Sequence, residues 1–321
     1  MLKNISKKII PTLFYGLLLI FLFIYLRSIN YSKLSSIQIN WYYIILATVF
    51  GIWFRYWGAF IWLKLLRGLG AKNITFNPQL VYVYAKSWMG RYIPGTAPWI
   101  LGKIYFASKH GISKNKLAVS SLLEGGLQIN VVMIISAVIL AFDARLSVIN
   151  NNIKLLMALA VIAGCVSMTP AVFNRIVSFA YKIIRGKELE KEHLADAKTI
   201  LKGVALYSIG AIISGVGFFF MAKAVFPSLA YSNALFVIGA ASLAGAVSML
   251  AVFAPSGLGV REGIQLALLS LIMPTEYALV VTVFTRLWSI ILDIIFFGMA
   301  ALLNPKTPKI PFFGSRKSDS L

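Results

Sequence analysis

The sequence predicts an all-α integral membrane protein: about six full transmembrane helices plus two re-entrant broken-helix hairpins, arranged as an inverted repeat. Three observations predict it. Of 321 residues, 59% are hydrophobic and 13% charged, with a mean hydropathy of +0.82; an ordinary soluble domain carries about 25% charged residues. At least eight hydrophobic segments run along the chain, several reaching the roughly 20 residues that cross a bilayer as a helix. The cations collect in the short segments between those runs.

The first apolar run, Ile9–Leu26, follows Lys3, Lys7 and Lys8, and ends in Tyr25-Leu26-Arg27 without a small-residue cleavage site. It reads as an uncleaved helix rather than a signal peptide. Further full spans are expected at Trp41–Leu66, Leu117–Phe142, Ile153–Phe173, Gly203–Phe226 and Tyr277–Leu303. Two apolar stretches are interrupted instead. Phe76–Ser108 breaks at Pro94-Gly95-Thr96-Ala97-Pro98, and Ala234–Ile272 breaks at Pro255-Ser256-Gly257-Leu258-Gly259. Proline removes a backbone donor and glycine permits φ angles that other residues avoid, so helices stop there. The break residues are Pro94, Gly95, Pro98, Pro255, Gly257 and Gly259.

The net charge of +21 is spread in a way that speaks for topology and against nucleic acid. With the N-terminus inside, twenty cations fall on cytoplasmic segments and four, Arg27, Lys33, Arg145 and Lys154, on external ones. The positive-inside rule then places both termini in the cytoplasm of a multi-pass cell (plasma) membrane protein. Lys64–Lys72 and Lys109–Lys116 are both cytoplasmic in this scheme, so the first hairpin enters and leaves on that side. The second enters from outside. Such a basic inner face also suits anionic lipid headgroups.

Pro94 and Pro255 lie 161 positions apart, and the same offset carries Tyr42 to Gly203 and Phe142 to Leu303. A single transmembrane domain, 1–321, is expected, with repeat units at about 41–142 and 202–303 of opposite orientation. Such inverted repeats place a substrate site at their interface. The cytoplasmic connector, about 174–202, carries "RGKELEKEHLADAK" and is expected to be solvated, with His193 at its surface and no metal site. Cys165 is the one cysteine and cannot form an intrachain disulfide.

Charges at membrane depth cost several kcal/mol unless paired or hydrated, so each is a functional candidate. The candidates are Arg55, Arg91, Lys103, Glu124, Arg261, Glu262, Arg286 and Asp293. Internal pairing of the acids with Arg286 or Arg55 is as natural as a functional role. The cations outnumber the acids, and arginine's planar fork suits phosphate oxygens. Helix N-termini after the breaks, from Trp99 and Val260, would add free N–H groups. There is no HExxH, no CxxC pair and no Walker loop, and "GLGVREG" has no βαβ unit around it, so no cofactor and no enzyme activity are expected.

"RYIPGTAPWILGKIYFASKHGISKNKLAVSSLLEGGLQI" and "FAPSGLGVREGIQLALLSLI" resemble the two signature regions of the lysylphosphatidylglycerol synthase transmembrane, or flippase-like, family. The matching positions are Pro94-Gly95, Gly102-Lys103, Lys109-His110-Gly111-Ile112-Ser113 and Ser121-Leu122-Leu123-Glu124, then Pro255, Gly257, Gly259, Arg261, Glu262 and Gly263. Thr96-Ala97-Pro98 departs from the more glycine-rich first break of relatives. The resemblance implies the lipid-translocating module without the soluble synthase domain. The expected function is a flippase moving an anionic lipid, aminoacylated phosphatidylglycerol-like or a polyprenyl-phosphate-linked sugar. The alternative is a membrane enzyme or an accessory subunit of a glycosyltransferase acting on lipid-linked sugars. A lipid-modifying synthase or glycosyltransferase is the protein partner this implies.

Overall fold

A computed structural model describes residues 37–71, 74–92, 97–146, 151–251, 257 and 259–304. The expected first helix, Ile9–Leu26, and the break residues Pro94, Gly95 and Pro255 lie outside the described residues. Among those described there are ten α-helices and no strand. They are α1 Trp41–Gly68, α2 Pro78–Trp88, α3 Ala97–Ser108, α4 Lys114–Ala141, α5 Asn151–Ser167, α6 Pro170–Arg185, α7 Ala197–Val225, α8 Ala234–Leu250, α9 Val260–Leu269 and α10 Thr275–Leu303. Five segments are long and apolar enough to cross a membrane: α1, α4, α7, α10 and Tyr231–Leu250, which is α8 with the turn before it. The α5–α6 pair makes a sixth if counted as one span.

Cap chemistry explains where these helices start. Asn40 accepts from the Tyr42 N–H at the head of α1, Asn77 from Leu80 at the head of α2, and Asp196 from Thr199 at the head of α7. Each side chain satisfies an N–H that the first turn leaves without a partner. Pro78 and Pro170 open α2 and α6, where a missing N–H costs nothing.

The expected single span Ile153–Phe173 differs in the structure. Its chain bends by 81° between Ser167 and Pro170. Proline cannot donate back into α5 but pre-sets φ for a new helix, so one apolar run becomes two helices. The connector, expected to be solvated, is packed along one side. Helix α6 buries Phe173, Val177 and Tyr181, four apart and hence on one face, and ends at Gly186 with φ +67°. Asn174 then holds both the N–H and the C=O of Ala195, at 3.1 and 2.8 Å. His193, expected at the surface, is buried, with Glu190 and Glu192 carboxylate oxygens each 3.6 Å from one of its ring nitrogens. The charge-rich composition of this segment hid the short turn that tucks the ring inward.

Two long helices form the centre. Helices α1 and α7 run antiparallel: Asn40 N donates to Ala224 O at 2.8 Å near one end, and Gly68 meets Thr199 at the other. Gly203, Gly210 and Gly217, seven apart, lie along the contact. A Cβ on Gly210 would stand 3.2 Å from Trp57, and one on Gly217 would stand 3.1 Å from Phe50. Small residues let backbones approach where lipid removes the hydrophobic drive for helix association. Helix α10 packs on α1 through Trp288, Leu292 and Phe296, which meet Thr48, Gly51 and Tyr56 in register.

The two interrupted segments fold as the pairs α2–α3 and α8–α9, of which only α8, with the turn before it, is long and apolar enough to cross a membrane. Neither α2, α3 nor α9 exceeds 12 residues, about 18 Å of helix against a hydrocarbon core of about 30 Å. Gly90 lets the arms of the first pair touch near the break, since a Cβ there would meet Trp99 N at 3.0 Å and the Pro98 carbonyl carbon at 3.1 Å. In the second, Gly257 has φ +68° and a Cβ there would overlap Ser248, while Gly259 has φ +85°.

Candidate functional site

A cavity of about 440 Å³ opens among α1, α2, α3, α4, α7, α8 and α10, with Gly257 and Arg261 of the second break at its wall. Its size falls in the range of small-molecule sites. Arg55, Arg91, Glu124 and Arg261 line it directly. Lys103, Glu262, Arg286 and Asp293 stand behind these residues as their partners or neighbours.

Arg55 and Asp293 form the first pair. The Arg55 Nε donates to Asp293 Oδ1 at 2.6 Å, and its other nitrogens reach the carbonyls of Gly51 and Ser289 at 2.8 and 2.7 Å. Asp293 is fully enclosed, and Trp88 Nε1 at 3.1 Å and the Tyr92 hydroxyl also donate to it. Arg91 approaches the same carboxylate at 3.8 Å, with its guanidinium 4.6 Å from the centre of the Trp88 ring. A desolvated carboxylate is tolerable only with its lone pairs so occupied.

Lys103 and Glu124 form the second. The ammonium bonds to Glu124 Oε2, and Tyr84 donates to Glu124 Oε1 at 3.1 Å. Lys103 is wholly enclosed, with Trp99 at 3.8 Å and Tyr84 and Trp62 further round the same ammonium. Cation–π contact offsets part of the desolvation cost. Lys103 therefore reaches the cavity only through Glu124.

At the second break Glu262 turns inward on its own helix. Its Oε2 accepts from Gly259 N at 2.7 Å and caps α9, and Oε1 faces Arg286 at 3.6 Å. The helix terminus expected to offer free N–H groups is thus partly capped by the chain's own carboxylate. Arg261 differs from the other cations. Among the described residues its guanidinium makes no hydrogen bond and lies within ion-pair distance of no carboxylate, the adjacent Glu262 facing Arg286 instead. Lys86 and Lys223, the remaining cations near this depth, serve elsewhere: Lys86 is exposed over Phe106, and Lys223 closes the turn after α7 on the carbonyls of Pro227 and Leu229.

All eight candidate charges fall in or directly behind the cavity wall. Sequence reasoning missed the aromatic donors that seat the acids. Tyr84, Trp88 and Tyr92 recur every fourth residue, the spacing of one helix face, and each donates to a buried carboxylate. That periodicity was the available signal. Ser121 and Tyr207, not among the candidate site residues, also line the cavity, and both hydroxyls are buried without a partner among the described residues.

The family model for the lysylphosphatidylglycerol synthase transmembrane region matches residues 9–296, nearly the whole chain. The chain belongs to that family. No curated protein matches it. Membership in the lysylphosphatidylglycerol synthase transmembrane-region family agrees with the helical, multi-pass architecture, and the match takes in both broken segments and every charge around the cavity.

Proposed function

We propose that this protein carries an anionic lipid between the leaflets of the cell membrane, with its headgroup in the cavity and its tails in the surrounding bilayer. The observation that carries the proposal is the charge balance of the cavity and its supports. Arg55, Arg91, Lys103, Arg261 and Arg286 face Glu124, Glu262 and Asp293, an excess of two positive charges, and Arg261 has no carboxylate of its own among the described residues. Uncompensated positive charge at membrane depth is costly, and an anionic headgroup offsets it.

In this reading the units 41–142 and 202–303 are inverted repeats that rock against each other and expose the cavity alternately. The antiparallel packing of α1 on α7, the leading helices of the two units, supports that relation. Both termini face the cytoplasm, and the lipid leaves chemically unchanged.

Reconstitution tests it. Vesicles containing acyl-labelled fluorescent phosphatidylglycerol and the purified protein should lose fluorescence to a membrane-impermeant quencher beyond the outer-leaflet half that protein-free vesicles lose. Arg261→Ala should return the trace to the protein-free level. Equal quenching with and without protein overturns the proposal, and covalent turnover of the lipid replaces it with an enzyme.

A further inference from the structure

Two buried hydroxyls in the cavity wall are left over from the chain's own hydrogen bonding. Ser121 is 1% exposed and Tyr207 6%, and neither hydroxyl has a partner among the described residues. Ser121 precedes Glu124 by one helical turn on α4, and Tyr207 on α7 lines the same cavity. Buried hydroxyls without partners are rare, because each forfeits the hydrogen bonds it had in water. In a cavity wall they call for a ligand atom or water. The Glu124 carboxylate in the same cavity is already neutralised by Lys103 and bonded by Tyr84, so it has little capacity left for a cation. Arg261 lines the same wall without a carboxylate in ion-pair distance among the described residues, and Arg91 and Arg55, both directed to Asp293, line it too.

We infer that the cavity selects a phosphate ester whose headgroup bears free hydroxyls and no positive charge, its phosphate on Arg261 and its hydroxyls on Ser121 and Tyr207. The excess of cations repels an ammonium-bearing headgroup, while hydroxyl groups satisfy both orphaned side chains. Sites built to hydrogen-bond a hydroxyl reject analogues lacking it, because the protein groups are then stranded. This deepens the transport reading and rests on it for the ligand's being a lipid.

The test is binding to the purified full chain in detergent, by titration calorimetry. The probes are short-chain phosphatidylglycerol, its lysyl ester, phosphatidylmethanol, which has the phosphodiester but no hydroxyl, and free glycerol phosphate. Phosphatidylglycerol should bind at least tenfold more tightly than either its lysyl ester or phosphatidylmethanol. Arg261→Gln should weaken all the phosphodiesters. Ser121→Ala with Tyr207→Phe should erase the preference for phosphatidylglycerol over phosphatidylmethanol while leaving phosphatidylmethanol binding intact, which also reports a folded site. Equal or tighter binding of the lysyl ester overturns the inference, as does equal binding of phosphatidylmethanol. If the binding pattern holds but no lipid is moved in vesicles, the transport reading fails and the site assignment stands. Free glycerol phosphate binding as tightly as the lipid keeps the chemistry and makes the natural ligand a soluble ester.

Discussion

Asp293 on α10 takes the Arg55 Nε of α1 at 2.6 Å in a pocket closed to solvent, joining helices 238 positions apart in the chain. One carboxylate serves Arg55, Arg91, Trp88 and Tyr92 together, so α1, α10 and the first broken pair share a single anchor. Asp293→Asn leaves Arg55 buried beside a neutral amide and should destabilise the protein by about 3–5 kcal/mol. Replacing both partners, Arg55→Met with Asp293→Leu, should recover most of that loss and abolish transport. Thermal unfolding in detergent, run beside the quencher assay, separates the two effects.

Lys103 and Glu124 tie α3 to α4 in the same manner. Lys103→Met and Glu124→Gln should each lower stability, and the double variant should lose less than the sum of the two. A coupling of about 0.5–3 kcal/mol is expected for residues in direct contact. A coupling near zero in a double-mutant cycle would mean that the pair is not formed in the membrane.

Gly257 holds φ +68° against Ser248. Gly257→Ala combines backbone strain, of order 1–3 kcal/mol, with a clash at the second break, and should lower both unfolding temperature and transport. Gly263, on α9, has ordinary backbone angles and open space where a Cβ would stand, so Gly263→Ala is the matched control and should behave like the parent.

Asp196 caps α7, and hydrogen bonds from Thr199, side chain first and backbone second, hold its carboxyl below the usual range. A lowered folded value means that the cap stabilises fully at neutral pH and fades only as pH falls below the ordinary aspartate value of about 3.9. Asp196→Ala should therefore cost about 1 kcal/mol at pH 7 and less at pH 3. Unfolding curves at the two pH values check it.

Topology is open to chemical labelling. Cys165 is exposed on α5, so Cys165→Ser supplies a thiol-free background. In it, Lys109→Cys and Lys187→Cys should react with a membrane-impermeant maleimide only after the cytoplasmic face is opened. Arg145→Cys should react in intact cells. The reverse pattern would invert the proposed orientation.

Much of the fold was legible in the chain because the bilayer imposes a coarse rule: every backbone polar group must be bonded within the segment, so long apolar runs become helices. That rule sufficed for α1, α4, α7 and α10, and Pro-Gly clusters marked the two broken pairs. It failed at α5–α6, where Pro170 divides a run whose composition never changes, and at His193, whose burial depends on what packs over a charged connector. The candidate charges were visible for the same reason, since a charge is rare in an apolar run.

The sequence by itself determined that the chain is helical and membrane-embedded, that two of its apolar stretches are interrupted, and which few charges sit deep within it. Only the tertiary structure decided how those charges divide: Arg55 and Arg91 upon Asp293, Lys103 upon Glu124, Arg286 beside Glu262, and Arg261 without a carboxylate among the described residues. The reason is physical. Helix formation and membrane insertion follow from residues near one another in the chain. An ion pair in low dielectric follows from a separation of a few ångströms between groups as far apart in sequence as Arg55 and Asp293, which only the packing of the helices sets.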